Sequence, residues 1–172
     1  MELLARFARG DPEAFEALFR QFQGEVYGWI VRIVRNPAAS EDLTIETFWK
    51  IHRAHARFDP SRTFGAWARR IATNVAMDYL SKPHREVELD RDLPTPAAVD
   101  AAERNEAHAA IAAAFRTLPP KLQIAALLAL VEERPYQEIA DALGISEGGV
   151  KSRVFRATRL LRRKLERMDY KP

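Results

Sequence analysis

Between Glu147 and Arg163 the side chains sort into two kinds at the pitch of a helix. At about 100° per residue, Val150, Val154, Ala157 and Leu161 share one narrow stripe, while Gly148, Ser152, Phe155, Arg156, Arg159 and Arg163 fall on the opposite side. One face is built to pack; the other carries guanidinium, hydroxyl and aromatic groups. A guanidinium fork can donate two hydrogen bonds to a guanine edge or pair with phosphate. From position 151 onward nine basic residues face only Glu166 and Asp169, a net charge of +7, and a surface that neutralises phosphates needs such an excess.

The elements that would position this face lie just upstream. Ile139, Ala140 and Leu143 share one side of a short helix that stops at Gly144, where a positive φ is cheap. Ser146 then offers a hydroxyl N-cap to the next helix. Helix, glycine turn, cap and two-faced second helix together predict a helix-turn-helix, whose second helix can lie in a major groove. The candidate duplex-contacting residues are Tyr136, Gly148, Lys151, Ser152, Arg153, Phe155, Arg156 and Arg159.

A second constellation lies nearer the N-terminus. Arg57, Phe58, Asp59, Pro60, Ser61 and Arg62 read as a loop, and the helix after it carries Trp67, Arg70, Ile71 and Asn74. Arginines interleaved with aromatic rings suit single-stranded nucleic acid, whose bases stack while its phosphates pair. Phe58, in a polar loop, is expected to be open to such stacking, whereas Phe64 and Trp67 at helical spacing also fit a core. Further back, Asp42 and Glu46 stand one turn apart on a helix that buries Leu43, Phe48 and Ile51, which suits a polar or partner-binding face.

Composition bounds the remainder. The 172 residues include no cysteine, so disulfides, thiolate metal sites and cysteine nucleophiles are excluded. His52 and His55 lie near one another without clustered carboxylates, and no metal site is expected. The sequence holds no phosphate-cradling glycine loop and no serine elbow. The expectation is therefore a non-enzymatic protein without a cofactor. No apolar run reaches the roughly 20 residues of a membrane helix, and the acidic, Phe-rich N-terminus is not a secretory signal, which favours the cytoplasm.

The chain reads as all-α. Asp11-Pro12 opens a long helix in which Phe15, Leu18, Phe19, Phe22, Val26, Ile30, Ile33 and Val34 recur, and Asn36-Pro37 ends it. Two more helices follow, the third with Phe64, Trp67, Ala68, Ile71, Ala72, Val75 and Tyr79 as its stripe. Pro83, Pro94 and Pro96 then punctuate an acid-rich stretch that carries a net charge of −4 between Arg85 and Glu106. The predicted organisation is two small helical domains, 1–81 and 101–172, joined by an acidic linker at 82–100. Leu118-Pro119-Pro120 breaks the first helix of the second domain.

With these motifs in order, the chain resembles a bacterial RNA polymerase sigma factor of the small extracytoplasmic-function type. The resemblance is carried by Glu41–Ile51, Phe64–Leu80, Leu118-Pro119-Pro120 and the helix-turn-helix with Gly149-Val150-Lys151-Ser152-Arg153. It implies that the first domain docks on the polymerase clamp through the helix bearing Asp42, Ile45, Glu46 and Trp49, and that it melts the minus-ten element. By position, Phe58, Ile71 and Asn74 match a pocket for a flipped non-template base. Gly148, Lys151, Ser152, Phe155 and Arg156 match positions that read the minus-thirty-five element as duplex. The linker is expected to run through the polymerase's RNA exit path, and an anti-sigma protein to regulate the chain. Ile45 stands where the family usually has glutamine, His52 where tryptophan is frequent, and Gly149 where threonine is usual.

Two other readings fit parts of the sequence. A stand-alone helix-turn-helix regulator leaves the Arg/aromatic loop and acidic stretch unexplained. A helical adaptor leaves the basic recognition face unexplained. Promoter-dependent transcription with core polymerase separates all three.

Overall fold

The structure is a computed structural model that describes residues 2–83 and 100–167, with side chains from 106 onward in the second stretch. Every regular element among the described residues is helical. Most of the acidic linker, 84–99, lies outside the described residues.

Helix α1 (Glu2–Ala8) has no counterpart in the sequence reading. It is short, yet it buries Phe7 completely. Helix α2 (Pro12–Val34) begins as predicted: the Asp11 carboxylate accepts the N–H groups of Glu13 (2.9 Å) and Ala14 (3.3 Å), and Pro12 occupies the first turn. Arg6 donates to the same carboxylate at 2.6 Å, which ties α1 to the start of α2. That hydrogen bond is the largest reason the Asp11 carboxyl lies below the usual carboxylate range, and the backbone N–H groups of Ala14 and Glu13 add to it.

At its far end α2 stops on Arg35, in the left-handed region at φ 58°. One residue later Asn36 caps α3 (Pro37–Arg53), its side-chain oxygen accepting the Ala39 N–H at 3.0 Å. A single 3₁₀ turn, His55–Arg57, leads through the Asp59 loop to α4 (Phe64–Ser81). Helices α2, α3 and α4 pack on one another around Leu18, Val26, Ile30, Ile33, Phe48, Ile51 and Val75. Four buried hydroxyls sit inside this bundle. Ser40, Thr44, Thr47 and Thr73 each donate to the carbonyl four residues back at 2.7 Å, so none is buried unsatisfied.

The second half consists of α5 (Asp100–Arg116), α6 (Pro120–Ala126) continued by one π-type turn (Leu127–Val131), α7 (Tyr136–Leu143) and α8 (Glu147–Arg167). As expected, Leu118-Pro119-Pro120 separates α5 from α6. Ala114, Leu118, Leu122, Ala126, Ala157 and Leu161 form a core of their own. The two halves are not merely tethered, however. Ile124, Leu127, Leu128, Ile139 and Val150 belong to the same buried cluster as the core of α2–α4, and α7 lies directly on α4. Apolar residues on the inner sides of α6 and α7 are thus shared between the halves, which periodicity within a single helix cannot reveal.

Candidate nucleic-acid interface

The helix-turn-helix has the local geometry its sequence dictates. Ile139 and Ala140 are buried and Leu143 is partly so; Gly144 adopts φ 64°, and its N–H and that of Ile145 bond back to Asp141 and Ala140. The Ser146 hydroxyl accepts the Gly149 N–H at 3.1 Å and so caps α8. Val150, Val154, Ala157 and Leu161, the predicted stripe, are the buried residues of α8. On its other side Gly148, Lys151, Ser152, Phe155, Arg156 and Arg159 are exposed, and Arg153 is half-buried.

Their arrangement suits an anionic groove. Phe155 stands 63% exposed, with the Arg159 guanidinium 5.8 Å from its ring centre. Arg156 Nε points back to the Ser152 carbonyl at 3.4 Å, leaving its other donors free of protein acceptors among the described residues. Burial, and then the charge of nearby Arg156, lower the proton affinity of Arg153. Positive charges crowd here, and phosphate relieves such crowding. Tyr136, at the start of α7, is half-buried.

On the first half, Trp67, Arg70, Ile71 and Asn74 recur at i, i+3, i+4 and i+7 and so share one face of α4. Asn74 and Arg70 are exposed; Trp67 and Ile71 are partly covered. The preceding loop is stiffened by Asp59, whose carboxylate accepts the backbone N–H (2.9 Å) and hydroxyl (2.7 Å) of Ser61. Those two bonds hold the Asp59 carboxyl below its ordinary range. Arg57 and Arg62 stand exposed beside it, with Arg62 Nε 3.8 Å from Asp59.

Phe58 differs from expectation. It is only 4% exposed, and its ring packs against Phe7 (5.8 Å between centres), Phe64 (5.7 Å) and Trp67 (5.0 Å). The residue is a wall of the core rather than an open platform, because α1 inserts Phe7 between it, Phe15 and Phe64. Nothing in the loop's own polarity shows this. The unpredicted helix α1 supplies the cover. His55 packs beside Phe7 and Gly10 with Nδ1 3.2 Å from the Ala8 carbonyl.

The α3 face expected to meet a protein partner is open. Asp42 and Glu46 are exposed, Ile45 is 57% exposed and Trp49 63%. Beside them runs an apolar hollow of about 370 Å³, lined by Pro12, Phe15, Phe19, Ile45, Phe48, Trp49 and His52. An exposed tryptophan at the edge of such a hollow, with carboxylates exposed on the same helix, has the anatomy of an anchor site.

Comparison with known proteins agrees with this geometry. Residues 18–86 match the family model "Sigma-70 region 2", and residues 108–171 match "Sigma-70, region 4". Over 172 aligned residues the chain is 33% identical to RNA polymerase sigma factor CarQ of Myxococcus xanthus, covering 96% of this chain and 97% of that protein. The chain belongs to the sigma-70 family. The RNA polymerase sigma-H factor of Pseudomonas aeruginosa is 30% identical, with 96% of this chain and 93% of that protein aligned. Similarity extends to the extracytoplasmic-function sigma-E factor of Haemophilus influenzae (29%, covering 95% of this chain and 94% of that protein), and the chain groups with the extracytoplasmic-function sigma factors. The fold matches that of CnrH, solved in complex with the cytosolic domain of CnrY, with a TM-score of 0.59, 24% identity and 95% of each chain covered. This sigma factor is a promoter-specificity subunit of RNA polymerase, and its family is one of non-catalytic initiation factors. No helix among the described residues is long and apolar enough to cross a membrane.

Proposed function

We propose that this sigma factor divides its work among three faces. The exposed side of α8, with Lys151, Ser152, Phe155 and Arg156 at its centre and Tyr136, Gly148, Arg153 and Arg159 around it, reads the upstream promoter element as duplex. The face of α4 carrying Trp67, Arg70, Ile71 and Asn74, with Arg57 and Arg62 of the loop, holds the melted non-template strand. Phe58 serves that second face by fixing Trp67 and the loop from behind. The α3 face with Asp42, Ile45, Glu46 and Trp49 docks on core polymerase.

The observation that carries this reading is the split of α8 into a buried aliphatic stripe and an exposed arginine face, capped and aimed by a regular helix-turn-helix. A stand-alone regulator would need the same face, but it would leave exposed Trp49 and Ile45 beside the apolar hollow without a role. We further propose that the chain works in the cytoplasm and is held in check by an anti-sigma protein. CnrH was solved with the cytosolic domain of CnrY, and the Bartonella quintana sigma factor RpoE with the anti-sigma factor NepR.

Run-off transcription with purified core polymerase tests the reading. Templates drawn from a random promoter library should give discrete transcripts only when the sigma factor is added, and Arg156→Ala should weaken selection at the upstream element. Transcription no more selective than that of core enzyme alone would refute it.

A further inference from the structure

Behind the strand-holding face of α4 runs a ladder of contacts to α2. At its first rung Gly65 lies so close to α2 that a Cβ there would come within 3.3 Å of the Phe22 ring and 3.4 Å of the Glu25 carboxylate. At the second, Arg69 Nη1 pairs with that carboxylate at 3.3 Å, and its guanidinium lies 5.6 Å from the centre of the Trp29 ring. At the third, the indole N–H of buried Trp29 donates to the hydroxyl of buried Thr73 at 2.9 Å. The same hydroxyl donates to the Arg69 carbonyl at 2.7 Å, so it is used both as donor and as acceptor and its direction is fixed. Gly65, Arg69 and Thr73 recur every four residues and so form one stripe of α4. Glu138 and Arg134 of the second half approach Arg69 and the Trp29 ring, but the three rungs themselves join only α2 and α4.

We propose that Trp29 and Thr73 are positioning residues for base reading: their hydrogen bond sets the rotation of α4 about its own axis and so aims Asn74, the next residue. The rest of the inner side of α4 is poorly suited to that task. Its buried residues are Ala68, Ala72 and Ala76, with Phe64 and Val75 as the larger apolar partners. Alanines let two helices approach closely but offer little ridge to resist turning. A directional bond between buried polar groups does resist it, because a turned α4 would leave an indole N–H without a partner in the core.

The leverage is large. A side-chain tip lies about 6 Å from a helix axis, so a turn of about 15° moves it by roughly 1.5 Å, enough to lose a hydrogen bond to a base edge. Phosphate contacts by Arg70 carry no base information and add nothing to that ratio of preferences. The aim at a base rests on the promoter reading above; the setting of α4 does not.

Holoenzyme formed from the full chain and core polymerase is given pre-melted promoters that differ at one non-template base of the minus-ten element, built on a template selected in the run-off assay. The readout is the ratio of affinities for the preferred base and the next. Thr73→Val and Trp29→Phe should each lower that ratio by about 3- to 10-fold, and the double variant no further, because both remove the same bond. Thr73→Ser keeps the hydroxyl and should stay within about 2-fold of the parent. Ile51→Val, a core change on α3 that also lowers the urea midpoint, should leave the ratio alone. Because the chain has no cysteine, Gln23→Cys and Asp78→Cys place two spin labels on exposed positions of α2 and α4. Their distance distribution in the full chain should shift or widen with Thr73→Val and not with Ile51→Val. An unchanged distribution overturns the positioning. A changed distribution with an unchanged base ratio, or a ratio lowered as much by Ile51→Val, overturns the link to base reading. A parent holoenzyme without base preference counts against the promoter reading, while a shifted distribution still supports the setting of α4.

Discussion

Phe58→Ala is the most informative single perturbation, because sequence and structure assign the ring different principal duties. If the ring were an open stacking platform, truncation would leave stability nearly intact and remove roughly 1–3 kcal/mol of single-strand affinity. The structure instead places it 4% exposed among Phe7, Phe64 and Trp67, at centre distances between 5.0 and 5.8 Å. A buried Phe→Ala change typically costs about 3–5 kcal/mol, and aromatic pairs of this geometry add about 0.5–1.5 kcal/mol each beyond their buried area. The ring lies at the end of the bundle where α1 can partly relax, so the low end, about 3 kcal/mol, is expected here.

Urea denaturation of the full chain at neutral pH measures this directly. The midpoint should fall with little change in slope. Phe58→Leu keeps most of the volume and should recover at least half of the loss. Promoter opening by Phe58→Leu should then lie close to that of the parent, because the ring's contribution to DNA passes through the position of Trp67 and the loop. A Phe58→Ala protein within about 1 kcal/mol of the parent in stability, yet unable to open duplex promoters, would refute the reasoning and restore the ring as a direct base contact.

Asn74→Ala should change stability by less than about 0.5 kcal/mol, since the side chain is exposed, and should blur base preference in promoter opening more than it lowers total affinity; selection from a randomised minus-ten library reads this. Arg156→Ala should cost about 1–3 kcal/mol on a cognate upstream duplex, whereas Arg162→Ala should act chiefly by reducing the salt dependence of binding, both measured by fluorescence anisotropy across salt. Trp49→Ala, at a 63% exposed position, should leave the fold intact and weaken core-polymerase association by about 2 kcal/mol or more, as seen by co-purification at limiting concentration. Asp11→Asn should reduce the acid sensitivity of stability. The folded-state carboxyl of Asp11 is held low by Arg6, so its contribution is present above the unfolded pKa and is lost as pH falls through the folded one. Parent and variant should therefore differ most above about pH 4 and converge in stronger acid, in urea midpoints taken across that range.

How much of this was legible in the sequence depended on whether the deciding physics was local. The buried stripe of α8, the positive φ at Gly144, the Ser146 cap, the Asp11-Pro12 start and the Asn36-Pro37 junction all follow from side chains within a few residues of one another, and all appear as expected. Open positions on α3 were legible for the same reason: once Leu43, Phe48 and Ile51 face inward, Asp42 and Glu46 cannot, and Ile45 and Trp49, named only through the family resemblance, are exposed beside them. Phe58 was not, because its burial depends on Phe7, fifty-one residues earlier, in a helix too short to show a period. Trp29, Arg134 and Glu138 drew no attention for a related reason. Each is ordinary in its own segment, and the cluster in which Arg69 and Arg134 sit 5.6 Å from the Trp29 ring and Glu138 pairs with both exists only where α2, α4 and the start of α7 meet.

That contrast bears on how the chain does its work. The faces that touch DNA and polymerase on this reading are, in the main, local products of single helices. What the halves share, by contrast, is built from screened ion pairs and a buried apolar cluster that takes in Ile124, Leu127, Leu128, Ile139, Val150 and Val154. Of the α8 stripe, Ala157 and Leu161 pack with Ala114, Leu118 and Leu122, whereas Val150 and Val154 belong to the cluster shared with α2–α4. A protein that reads two stretches of DNA with separate faces, as proposed above, needs each of those faces to be rigid within its own half.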